Sequence, residues 1–208
     1  MTTVYISHPA CLEHETGSDH PESRQRLYAI EDALISAGLM NLLRRIDAPR
    51  VTREQLCRVH SPAYVDEIER LAPQSDLLTL DADTVMGPHS LEAACRAAGA
   101  MVQGVDMVTG GETDTVFCAT RPPGHHAGRS SAMGFCIFNN VAVGAAHALA
   151  AGLERVAIVD FDVHHGNGTE SIFQTDDRVM LCSVSVSYTH LTLPTTIGWC
   201  GCGGGGGG

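Results

Sequence analysis

Short apolar runs alternate with amphipathic stretches over the first 185 residues, and this alternation constrains the fold more than any other feature. Val156 to Phe161 is the clearest strand pattern, and Val179 to Val184 is a second. Val4-Tyr5-Ile6 reads as a first strand and Thr115 to Ala119 as a buried one. Between them lie helical patterns. Leu27, Ile30, Leu34 and Ile35 recur at helical spacing within Glu22 to Gly38, with Gly38 placed to end the helix. Thr52 to Leu56 and Pro62 to Leu71 read as two short helices, Ser90 to Val108 and Asn140 to Ala151 as two Ala-rich ones. The small face of Ala93, Ala94, Ala97, Ala98 and Ala100 suits close packing on a sheet or a neighbouring helix. Strands alternating with helices predict an α/β fold around a mainly parallel sheet.

Composition narrows the class of function. Acidic residues outnumber basic ones by 24 to 13, for a net charge of −11. That balance argues against nucleic acid, whose binders need a basic face to displace counterions. It is compatible with a cationic substrate. No apolar run approaches the roughly 18 residues of a membrane span, and the N-terminus lacks a signal-peptide pattern. The eight cysteines form no CxxC pair, so zinc-ribbon and thioredoxin-like readings fail. They read as small buried hydrophobes in a reducing cytoplasm.

The pattern stops after Ser185. Residues 186–195 have neither a helical face nor clean alternation, and eight of the 22 glycines fall in the last eleven residues. Glycine carries the greatest entropic cost of ordering, so no fold needs such a run. Residues 186–208 therefore read as a non-native, disordered tail: a translated sequencing adapter followed by a poly-G read end. Residues 1–185 read as the N-terminal portion of one larger domain.

Two clusters carry chemistry. Arg121-Pro122-Pro123-Gly124-His125-His126-Ala127 follows a predicted strand, where α/β sheets place their ligands. Pro-Pro-Gly makes a rigid turn, and two adjacent imidazoles there can face one site. The second cluster is Asp160-Phe161-Asp162-Val163-His164-His165-Gly166-Asn167-Gly168-Thr169. Along a strand side chains alternate with a period of two, so Asp160, Asp162 and His164 point the same way, out of the sheet's carboxyl end. Asp-x-His can chelate one divalent cation through an oxygen and a nitrogen, and zinc, iron and manganese all remain open.

Together these motifs, with Gly134-Phe135-Cys136-Ile137-Phe138-Asn139-Asn140, resemble the histone deacetylase family. The closer resemblance is to its bacterial class II-like members and acetylpolyamine amidohydrolase relatives. His20-Pro21-Glu22, Arg26-Leu27, Val59-His60-Ser61-Pro62-Ala63-Tyr64 and Asp83-Thr84 also match the family pattern. The resemblance implies a three-layer α/β/α fold, incomplete at the C-terminus, and a zinc-dependent amidohydrolase acting on acyl-lysine or acetylpolyamine. It makes Asp162 and His164 zinc ligands and His125 and His126 the tandem histidines beside the reacting water. Asp160 becomes the partner of His125 and Asn167 the partner of His126, Asn there being the class II-like choice. Phe135 and Gly134 line the substrate channel, and Asp160, Asp162, His164 and Ser183 supply a structural potassium site. The family's third zinc ligand, a downstream Asp, and its oxyanion-stabilising Tyr have no counterpart in this sequence. Two ligands bind zinc weakly where catalytic sites use three, and a parallel sheet without its late strands exposes an edge and apolar helix faces, so the 208 residues alone are expected to be inactive and poorly soluble. Tyr188 and His190, in the suspect tail, are not replacements. An arginase-like manganese ureohydrolase and a non-catalytic binding module of the same fold are the alternatives.

Overall fold

A computed structural model describes residues 2–185. Seven strands and six helices, with two short 3-10 turns, follow in chain order. They are β1 (Thr3–Ser7), α1 (Gln25–Ser36), β2 (Leu43–Asp47), α2 (Arg53–Cys57), α3 (Pro62–Leu71), β3 (Leu78–Asp81), β4 (Thr84–Met86) and α4 (Ser90–Thr109). After these come β5 (Thr115–Cys118), α5 (Asn140–Ala150), β6 (Val156–Asp160), α6 (Asn167–Phe173) and β7 (Val179–Ser183). The proposed tail, residues 186–208, lies outside the described residues.

The first sheet is parallel, in the order β2-β1-β5. Alternation along β1 sends its side chains to two layers. Val4 and Ile6 pack with Ala48 and with Ala100 and Met107 of α4 on one face. Tyr5 packs with Cys11, Leu27 and Ala119 on the other, under Ile30 and Leu34 of α1. Helices on both faces of a parallel sheet give the three-layer α/β/α arrangement. A second parallel pair joins β6 to β7, with Asp160 opposite Ser183, and β3 and β4 form an antiparallel hairpin.

The alanine face of α4 explains how closely these layers approach. Ala93, Ala97, Ala98 and Ala100 are fully buried. A side chain on Gly99 would collide with the backbone of Pro49, and one on Gly104 would press on Val116 of β5. Caps set the helix bounds. Thr52 and Gln55 form a reciprocal capping box on α2, Ser61 accepts the Tyr64 N–H ahead of Pro62 on α3, and Asn139 accepts the Ala142 N–H on α5. Gly38, just past α1, has φ +69°, the left-handed conformation that ends helices.

Three sequence expectations are corrected. α1 starts at Gln25, because Glu22 turns inward to the buried Arg121. β5 is not a buried strand: Thr115 and Phe117 are exposed. β6 ends at Asp160, so strand alternation does not orient Asp162 and His164.

One face of the β6–β7 pair is apolar and open, with Val159, Phe161, Met180 and Val184 all well exposed. Exposed apolar strands are templates for association. The chain is expected to self-associate with rising concentration by sedimentation velocity, and Val159→Glu with Met180→Glu to reduce it. A wild-type chain that stays monomeric across a hundredfold concentration range would refute this. Among the described residues, no helix is long and apolar enough to cross a membrane. The six cysteines there are free, with Cys11, Cys95 and Cys136 buried.

Candidate active site

The two sequence clusters meet at the carboxyl end of β6. The turn after β5 carries His125 and His126 with ring centroids 4.0 Å apart. Asp160, the last residue of β6, places Oδ2 2.8 Å from His125 Nδ1. Asn167, the first residue of α6, places Oδ1 2.7 Å from His126 Nδ1. An amide oxygen only accepts, so Nδ1 of His126 carries the proton and Nε2 is left basic. Burial holds the His126 imidazole below the ordinary histidine range, and the Asn167 hydrogen bond offsets part of that effect.

Asp162 and His164 converge although the strand has ended. The Asp162 N–H donates to Asp160 Oδ1 at 3.1 Å, and the His164 N–H donates to Asp162 Oδ1 at 2.7 Å. This chain of side-chain-to-backbone turns folds the segment back. It brings His164 Nδ1 to 3.0 Å from Asp162 Oδ1. Burial opposes the charge on Asp162, but the His164 hydrogen bonds outweigh it and hold the carboxyl below the usual range. The His164 ring lies 6.2 Å from that of His126.

Donor atoms sharing one tetrahedral zinc at about 2.0–2.2 Å sit roughly 3.3 Å apart, so this oxygen–nitrogen pair, joined by a hydrogen bond at 3.0 Å, has the spacing to hold one cation once Nδ1 gives up its proton. Among the described residues, no group of three His, Cys, Asp or Glu side chains is disposed to hold a metal. Ser183, opposite Asp160 in register, has a buried Oγ without a hydrogen-bond partner. A buried oxygen left without a hydrogen-bond partner is a group that a bound monovalent cation would satisfy.

Gly134 and Phe135 form a turn in front of the histidines, with φ +56° and +70°. A Cβ on Gly134 would run into the His126 ring, 2.7 Å from Cγ. Gly166 and Gly168 are similarly pressed, against the Asp160 carboxylate and the backbone of His126 and Ala127. These close approaches explain the glycines of the Gly-Asn-Gly segment.

Sequence reasoning did not assign the residues that brace the tandem-histidine turn from behind. Asn139 Nδ2 donates to the Ala127 carbonyl at 3.0 Å and to Thr169 Oγ1 at 3.1 Å. The Thr169 N–H donates to the His125 carbonyl at 3.1 Å. His60, fully buried, accepts the Asn139 N–H through Nε2 and donates from Nδ1 to the Gly128 carbonyl. Each sits inside a motif noticed for its resemblance, but only tertiary packing discloses the shared job.

Comparison with known proteins follows the same segments. The family model described as "Histone deacetylase domain" matches residues 20–196. An uncharacterized protein of Synechocystis sp., slr0245, is 44% identical over 177 residues, covering 83% of this chain and 58% of that protein. The histone deacetylase-like amidohydrolase of Pseudomonas aeruginosa is 38% identical over 181 residues, covering 86% and 46%. The polyamine deacetylase HDAC10 of Homo sapiens is 39% identical over 199 residues, covering 88% and 29%. The crystal structure of the HDA15 HD domain superposes with a TM-score of 0.83 at 38% identity, covering 88% of this chain and 53% of that one. The chain thus spans about half the length of the first two relatives.

Proposed function

The chain belongs to the histone deacetylase family, and from that premise we propose that the protein is a zinc-dependent amidohydrolase, cytoplasmic, removing acetyl or other acyl groups from lysine side chains or acetylpolyamines. The observation that carries the proposal is the pair of adjacent, mutually tilted imidazoles with chemically different partners, a carboxylate for His125 and an amide for His126, beside the Asp162–His164 pair.

Amide hydrolysis at neutral pH needs a deprotonated nucleophile and a proton for the leaving amine. Asp162 and His164 would hold the zinc, which when bound polarises the carbonyl and acidifies water towards about pH 7. His126, kept neutral by burial and with Nε2 free, would take the proton from the attacking water. Asp160 fixes His125 with Nδ1 protonated and can offset a positive charge on that ring, which the Asn167 amide cannot do for His126. The pair can therefore carry one proton from water to the departing amine. Phe135 offers an apolar wall to an alkyl chain, and Gly134 leaves room for it beside His126. Asp160, Asp162, His164 and Ser183 would supply a potassium site. The acidic net charge suits a lysine- or polyamine-bearing substrate.

The natural full-length protein, isolated with zinc, is expected to release acetate from an acetyl-lysine or acetylpolyamine reporter. Asp162→Ala is expected to bind less zinc and to read no higher than chelated wild type. Full activity in Asp162→Ala would remove the ligand assignment, and absence of turnover in zinc-loaded wild type would remove the reading itself.

A further inference from the structure

We infer that His20, Asp83 and Thr84 form a clamp that sets the Gly134–Phe135 turn, and that His20 is a positioning residue for the apolar wall of the substrate channel. The inference rests on the deacylase reading for its substrate, but the clamp itself stands on geometry.

Phe135 is the only non-glycine residue with positive φ among the described residues, and it follows a glycine that shares that conformation. Such a backbone persists only where its surroundings hold it. The holding groups come from far away in sequence. The Gly134 N–H donates to Asp83 Oδ1 at 3.2 Å, and the Phe135 N–H donates to Thr84 Oγ1 at 3.1 Å. Asp83 and Thr84 sit at the tip of the β3–β4 hairpin, with Thr84 fully buried.

His20 ties that tip to the aromatic ring. Its Nδ1 accepts the Glu22 N–H at 3.1 Å, so the ring proton is on Nε2, which donates to the Asp83 carbonyl at 3.0 Å. The same imidazole meets the Phe135 ring edge-on, centroids 4.8 Å apart, a favoured aromatic arrangement. One side chain thus fixes the hairpin tip that holds the backbone of the turn and also the ring the turn presents. His20 touches neither His125 nor His126 through any hydrogen bond of the structure. Its effect on chemistry therefore runs through Phe135, which would contact the alkyl chain in ground and transition state alike. Loss of such a contact raises KM and spares kcat.

Amide-resolved hydrogen exchange on the 208-residue chain tests the clamp. In His20→Ala and in the isosteric Thr84→Val, the Gly134 and Phe135 amides are expected to exchange at least tenfold faster. The amides of α5 should stay within twofold, and His20→Gln, which keeps a donor for Asp83, should restore protection. In the natural full-length protein His20→Ala is expected to raise KM for an acyl-lysine reporter about tenfold with kcat within twofold, and His20→Gln to recover most of it. Unchanged exchange at Gly134 and Phe135, equal acceleration throughout α5, or a fall in kcat at constant KM would overturn the inference. Should wild type turn over no reporter, the deacylase reading falls and the exchange pattern alone decides the clamp.

Discussion

Replacing Arg121 with leucine is expected to destabilise the chain by roughly 3–5 kcal/mol, the usual cost of stranding one partner of a buried ion pair. Arg121 is the largest fully buried side chain among the described residues. Its Nε and Nη2 donate to the two oxygens of Glu22 at 2.7 and 2.6 Å, and Nη1 donates to the Cys11 carbonyl at 3.0 Å. Burial opposes the Glu22 charge, yet the guanidinium outweighs burial and keeps the carboxyl below its ordinary range. Without Arg121, Glu22 would keep only His14 at 3.6 Å and Arg26 at 3.7 Å. Set against a total of about 5–15 kcal/mol for a typical domain, the loss leaves little folded population under mild denaturant. It also frees the start of the Pro122–Ala127 turn, so the tandem histidines should lose order with it. Urea unfolding of Arg121→Leu and of Arg121→Leu with Glu22→Leu distinguishes charge from packing. The double variant is expected to recover at least half of the loss, because removing both charges removes the desolvation problem. A single variant as stable as wild type, or a double variant no better than the single, would show that this pair is not what anchors the turn.

That pair also marks where sequence reading stops. Local signals located five of the six helices described and missed α6 (Asn167–Phe173): α3 occupies Pro62–Leu71 because Ser61 caps it and proline opens it, and neither needs a distant partner. β2 escaped notice because Leu43-Arg44-Arg45-Ile46-Asp47 is an edge strand with two exposed arginines and too few apolar residues to alternate clearly. β3 and β4 are short, and β3 has no buried residue. Within the site, the residues placed around His125 and His126 come from one short motif, so their proximity was legible. The reason for it was not, since β6 stops at Asp160 and side-chain-to-backbone turns, rather than strand alternation, bring Asp162 to His164. The Glu22–Arg121 and His20–Phe135 contacts span about a hundred residues each, and no local periodicity encodes such pairs.

Acid is expected to unfold the chain well before its carboxylates are neutralised, because two histidines are buried in the neutral form. His60 is fully buried, its Nε2 already accepting the Asn139 N–H, so a second proton there would face a donor. Burial lowers its pKa from 6.5 to about 4. His14 is 2% exposed, bonded through Nδ1 to Ser90 Oγ at 2.7 Å, and burial likewise lowers its pKa to about 4, the neighbouring Arg121 adding to the effect and Glu22 opposing it. Below pH 6.5 the unfolded chain takes up protons at both sites that the folded chain refuses. Stability is therefore full above about pH 6.5 and falls as pH drops towards 4. A proton that the unfolded chain accepts near pH 6.5 and the folded chain only near pH 4 costs on the order of 3 kcal/mol at the acid end for each histidine. That is a large share of what a domain has to lose. The depressed Glu22 carboxyl pushes the same way as it protonates. Urea midpoints measured at pH 7.5, 6.5, 5.5 and 4.5 should stay level between the first two and then drop steeply. His14→Gln, which cannot protonate, should show a shallower descent than wild type whatever its starting stability. A flat profile down to pH 4.5, or a slope unchanged by that substitution, would mean these imidazoles are charged in the folded chain. In that case the brace behind the tandem histidines, which needs His60 as an acceptor, would have to be assembled differently.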